Sequence, residues 1–131
     1  MQGFLRGNAR LGQAAGAALA LLLAGTAGAQ AQCFISGQFF IDSPGPFYIS
    51  VAASPGKPCD GNVSTGGRII FKTLWVTEEP RNGRVDLRKG GYYSYTAKKG
   101  YAGKDAFTLK LCGEYDRKEY CTILKYAVSV S

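Results

Sequence analysis

From about residue 33 onward the chain alternates apolar and polar residues, and no stretch there repeats its apolar positions at helical spacing. The segment 33–41 (CFISGQFFI) is β-branched and aromatic and is ended by Asp42-Ser43-Pro44-Gly45-Pro46. Phe47, Ile49 and Val51 then alternate with Tyr48 and Ser50. Residues 54–67 read as a long polar loop. Residues 68–77 (RIIFKTLWVT) read as the next strand, stopped by Glu78-Glu79-Pro80-Arg81-Asn82-Gly83. Asn-Gly marks a tight turn because both residues accept positive φ. Past it, Val85 and Leu87 point one way and Arg84, Asp86 and Arg88 the other. Tyr93 and Tyr95 alternate with Ser94 and Thr96, and residues 98–104 (KKGYAGK) form a glycine-rich corner. Phe107, Leu109 and Leu111 alternate with Thr108 and Lys110. Beyond a turn near 113–118, Tyr120, Leu124, Tyr126, Val128 and Val130 share one parity, with Thr122 between them. About seven short strands separated by turn signals predict an all-β, antiparallel sandwich.

The first thirty residues follow a different pattern. Arg6 and Arg10 are their only charges, the run 14–24 is apolar and alanine-rich, and small residues follow. Charge, apolar core and Ala-x-Ala site in that order predict a signal peptide over residues 1–29, cleaved after Ala29 or Ala31. The run is too short for a membrane anchor, which needs about 20 apolar residues. Gln32 before Cys33 is too bulky for a lipoprotein site. The expectation is a single exported domain over 30–131, periplasmic or secreted, with no integral membrane segment after cleavage.

Export changes the reading of Cys33, Cys59, Cys112 and Cys121. An even count in a small exported domain predicts two disulfides, and four cysteines allow three pairings. If Phe107, Leu109 and Leu111 face inward, Cys112 faces outward, and the same parity argument turns Cys121 outward on the neighbouring strand. Cross-strand neighbours of that kind lie within bonding range. This favours Cys112–Cys121 across a hairpin and leaves Cys33–Cys59. Closing those loops in the unfolded chain contributes about 2.6 and about 3.5 kcal/mol respectively. A four-cysteine zinc site fits poorly, since no two cysteines are close in sequence and histidine is absent. No metal site is expected.

Four elements in order carry a family resemblance. They are Pro80 with Asn82-Gly83 and Val85; Tyr93 and Tyr95; Gly100-Tyr101-Ala102-Gly103-Lys104-Asp105-Ala106-Phe107; and the closing Val128 and Val130. From about residue 70 to 131 the chain resembles the cadherin-like bacterial immunoglobulin domains repeated in surface and exported proteins. The resemblance implies an Ig-like sandwich in which these positions build the fold and are not catalytic. Gly100 and Gly103 would shape the corner, Tyr101 would hydrogen-bond backbone, and Asp105 would accept loop N–H groups. Typical repeats are acidic and cysteine-free, whereas this chain is basic with four cysteines. Neither an adhesin-array role nor calcium binding is therefore carried over. Asp60-Gly61-Asn62 offers one carboxylate where calcium wants several oxygens.

Charge and chemistry narrow the function classes. The chain has 16 basic and 9 acidic residues and no histidine. Losing Arg6 and Arg10 would leave a net charge of +5 (14 basic against 9 acidic). The usual general base is missing, Ser129 and Ser131 have no neighbouring base, and paired cysteines leave no thiolate. Glu78 and Glu79, adjacent at a turn, do not converge as a carboxylate pair. No catalytic residue and no cofactor is expected.

The candidate binding residues are Arg81, Arg84, Arg88, Lys89, Lys98, Lys99 and Lys104, offset only by Asp86. Charges of this kind also keep edge strands from aggregating. Read as a site, they point to an anionic polysaccharide or another polyanion of the cell envelope rather than nucleic acid. The alternative is a small secreted inhibitor or accessory factor that presents the disulfide-closed loop 113–120 to a protein partner.

Overall fold

The computed structural model describes residues 32–64 and 69–131. The expected signal peptide lies outside them. Eight strands form two sheets: β1 (Cys33–Ser36), β2 (Phe47–Ala53), β3 (Pro58–Asn62), β4 (Ile70–Glu78), β5 (Gly83–Arg88), β6 (Tyr92–Ala97), β7 (Gly103–Tyr115) and β8 (Lys118–Val130). One sheet runs β1-β2-β8-β7-β4 and the other β3-β6-β5. The order β3-β6-β5 against β8-β7-β4 is that of an Ig-like sandwich, in which strands B-E-D oppose G-F-C. Among the described residues no helix is long and apolar enough to cross a membrane.

Period-two alternation decides what lies between the sheets. Ile49, Val51, Tyr93, Tyr95, Phe107, Leu109, Leu111, Leu124, Tyr126, Val128 and Val130 are all buried, as their parity predicts. Aromatic rings form the centre. Tyr95 stacks on Phe107 at 5.6 Å, Phe107 on Tyr126 at 4.4 Å, and Tyr93 meets Tyr126 edge-on at 5.3 Å. Burial pushes the hydroxyl pKa of Tyr93, Tyr95 and Tyr126 above the usual tyrosine value, and for Tyr95 the Asp105 carboxylate adds to that rise.

Three expectations are corrected. The sandwich is not wholly antiparallel, because β2 runs parallel to β8, with Phe47 beside Leu124 and Ala53 beside Val130. Local pattern carries no information about that pairing, which joins strands far apart in sequence. Second, the polar stretch 54–67 contains β3. Its partner β6 supplies the apolar surface: Cys59 lies opposite Tyr95 and Gly61 opposite Tyr93. A Cβ at position 61 would fall on the Tyr93 ring, so glycine lets the two strands close. Third, the segment 33–41 holds a strand only over its first four residues, with Ile41 buried beyond it.

Both disulfides form as expected. Cys112 and Cys121 sit directly opposite on β7 and β8, Cα atoms 4.1 Å apart, on the outward parity. Cys33–Cys59 joins β1 of one sheet to β3 of the other. The hairpin beyond Cys112 is not an eight-residue loop. The ladder continues to Tyr115 opposite Lys118, and Asp116 and Arg117 turn the chain with φ of 50° and 65°. Both are left-handed, the geometry of a two-residue hairpin turn, here reached without the usual glycine.

Candidate functional site

The motif residues scattered along the second half meet at one end of the sandwich. The Asp105 carboxylate accepts the backbone N–H of Arg81 at 3.0 Å, that of Asn82 at 3.1 Å and the Tyr95 hydroxyl at 2.7 Å. One side chain thereby fixes the β4–β5 turn against the start of β7. The next corner is tied to the same turn, since Lys98 N–H donates to the Asn82 carbonyl at 2.9 Å. The Tyr101 hydroxyl donates to the Lys104 carbonyl, and Gly100 and Gly103 hold φ of 78° and 140°. Such values are strained for a residue with a Cβ.

This rigid corner carries some of the candidate cations, and the fold divides the seven into three groups. Arg84, Lys98 and Lys99 surround a shallow hollow of about 350 Å³ completed by Gly56, Gly83, Thr96 and Ala97. No carboxylate lines it. The loop carrying Gly56 is anchored there, its N–H donating to the Ala97 carbonyl at 3.0 Å. Arg84 meets Asp86 at 3.0 Å, but both side chains are exposed, so the pair contributes about 0–1 kcal/mol and can exchange for another anion.

Arg81 and Lys104 instead line a larger hollow of about 480 Å³ shared with Glu78, Glu79 and Asp105, where the carboxylates outnumber the cations. Arg88 and Lys89 lie at the far end of β5, and Arg88 reaches across the sheet to Asp60 at 3.7 Å. The spacing of Arg84 and Asp86, two apart on one strand face, signals their pairing in the sequence. Nothing local signals Asp60, because the sequence of β3 has no strand pattern. The opposite sheet carries further exposed candidates outside the basic run. Trp75 and Tyr48 sit outward on β4 and β2, opposite Lys110 and Lys125 respectively.

A scan against protein-family models and a search of curated proteins find no match to this chain. Among solved structures it is similar to an endo-fucoidan hydrolase of glycoside hydrolase family 107, at 14% identity and a TM-score of 0.38. That alignment covers 81% of this chain and 14% of the hydrolase chain.

Proposed function

We propose that this chain is an exported, non-enzymatic Ig-like module of the bacterial cell envelope that binds an anionic ligand through Arg84, Lys98 and Lys99. The observation that carries this reading is the hollow those three cations share, free of carboxylates and built on a corner pinned by Asp105. A rigid backbone matters here because exposed lysines bind weakly when they must be ordered on contact. The two disulfides support an oxidising compartment, consistent with export to the periplasm or beyond.

Retention on immobilised heparin, read as the salt concentration at elution, tests the proposal. Each exposed cation contributes about 0.5 kcal/mol, so R84A/K98A/K99A weakens binding about tenfold. R88A/K89A, with the same kind of charge removed from the far end of β5, leaves elution almost unchanged. Equal losses from both variants would reduce the effect to net charge and defeat the assignment.

A second reading draws on the hairpin end. Asp116, Arg117, Lys118 and Glu119 are exposed on a ribbon stiffened by Cys112–Cys121, a shape suited to a protein partner. A pull-down from envelope extract separates the readings. Salt-sensitive glycan capture supports the basic corner, and a single stoichiometric protein lost on replacing Arg117 and Lys118 supports the ribbon.

A further inference from the structure

The outer face of the five-stranded sheet carries an ordered arrangement of aromatics and lysines that the basic corner does not use. Strand register places them. Trp75 on β4 is opposite Lys110 on β7, and Tyr48 on β2 is opposite Lys125 on β8. Lys110 pairs with Ile123 and Lys125 with Thr108, so the two lysines are diagonal neighbours across β7 and β8. The four side chains therefore form a diagonal stripe, aromatic–cation–cation–aromatic, crossing four strands. Its ends are three inter-strand steps apart, about 14 Å. Tyr48 is 72% exposed and Trp75 46%. The Lys110 ammonium lies 5.7 Å from the Trp75 ring centre, which holds the cation beside the aromatic surface.

Beside the stripe the same face continues as a shallow depression of about 390 Å³. Its floor is Ser50, Ala52, Ala127 and Ser129, and its rims are Phe34, 71% exposed, Lys104 and Asp105. Small floor residues keep the sheet surface flat between the aromatic side chains. Lys104, Lys110 and Lys125 make no ion pair among the described residues. The carboxylates of that side are displaced or occupied: Asp105, at the rim beside Lys104, accepts the N–H groups of Arg81, Asn82 and Ala106 and the Tyr95 hydroxyl. Glu114 and Glu119 lie past the Cys112–Cys121 bridge, and Glu78 accepts the Thr108 hydroxyl at 2.9 Å.

We infer that this face is a platform for an acidic polysaccharide, whose sugar rings lie on Trp75, Tyr48 and Phe34 while its carboxylate or sulfate groups meet Lys110, Lys125 and Lys104. The electron-rich face of an aromatic ring attracts the positively polarised C–H groups of a pyranose ring, and the spaced rings suit an extended chain. Charge complementarity selects the occupant. A second copy of this chain would bring lysines against lysines. A bilayer would need contiguous apolar side chains where the lysines and serines stand. The inference shares with the basic corner the expectation of an anionic ligand but uses different residues, so either can fail alone.

Affinity electrophoresis in polygalacturonate, a carboxylated pyranose chain, and titration with linear inorganic polyphosphate, a polyanion without rings, provide the test. Losing two ring contacts in W75A/Y48A weakens polygalacturonate binding about tenfold while polyphosphate binding stays within about twofold. S50E adds a carboxylate to the floor without touching an aromatic and weakens polygalacturonate binding in the same direction, which guards against a folding defect in the aromatic variant. The loss caused by W75A/Y48A persists in the R84A/K98A/K99A background, because the stripe does not use the corner residues. Unchanged polygalacturonate binding in W75A/Y48A and S50E would overturn the inference. So would variants that lose only binding to phosphatidylglycerol vesicles, or only self-association in sedimentation.

Discussion

Replacing Cys33 and Cys59 by serine lowers the unfolding free energy by about 3.5 kcal/mol, more than the roughly 2.6 kcal/mol expected for the Cys112/Cys121 pair. Two arguments give the same order. The Cys33–Cys59 bond closes the longer loop, 26 residues against 9, and so restricts the unfolded chain more. It also joins β1 of one sheet to β3 of the other, holding the two layers together where β1 is a four-residue edge strand. Cys112–Cys121 bridges two strands already paired along a continuous ladder from Gly103 to Tyr115, so its removal leaves the native geometry in place. Urea denaturation of the two double variants measures both losses. A larger loss from C112S/C121S would contradict this ordering and the role given to the inter-sheet bond.

Asp105→Ala is the second severe change. The carboxylate accepts three backbone N–H groups, those of Arg81, Asn82 and Ala106, and the hydroxyl of Tyr95, a side chain with no exposed surface. Water can replace it at the exposed Arg81 N–H but cannot easily reach the Tyr95 hydroxyl, which is left without a partner. Hydrogen bonds to a charged group contribute about 1.5–3 kcal/mol each; with water taking over at the N–H groups, the lost Tyr95 bond and its stranded hydroxyl leave a loss of about 3 kcal/mol. For a domain of this size that lowers Tm by about 15 °C. Tyr95→Phe removes the buried hydroxyl itself and costs about 1 kcal/mol. Asp105→Ala is then less damaging in the Tyr95→Phe background than alone, by about 1 kcal/mol. Strictly additive losses would show that the two groups do not depend on each other and would remove Asp105 from its central place in the corner.

The strands that could be read from the sequence are those with one dry face. Phe107, Leu109 and Leu111, and the run from Leu124 to Val130, alternate without a break because each second residue faces the opposite sheet. That parity also placed Cys112 and Cys121 outward and so identified their bond. β3 was not legible because Pro58, Asp60, Gly61 and Asn62 have no strand preference of their own. Pairing to Tyr93 and Tyr95 on β6 imposes the extended form. The tight turn at Asp116 and Arg117 is hidden in the sequence for a related reason, since neither residue announces positive φ as glycine would.

The candidate sites divide along the same line. The basic residues were visible as a cluster in sequence, but which of them face one another depends on the β5–β6 register and on Asp60 and Asp86. The stripe on the other sheet could not be read at all without register. Trp75 and Lys110 are far apart in sequence, as are Tyr48 and Lys125, and only cross-strand pairing brings each aromatic beside its lysine.

The most direct measurement of the proposed function is a titration of the isotope-labelled protein with a heparin oligosaccharide, followed through its backbone amide resonances. The amides of Gly56, Gly83, Arg84, Lys98 and Lys99, which frame the hollow, should shift together and saturate at one common affinity, while those of Arg88 and Lys89 move little. Shifts confined to Glu114–Glu119 at the hairpin end, or no saturable shift at the hollow, would contradict the assignment of anion binding to this corner.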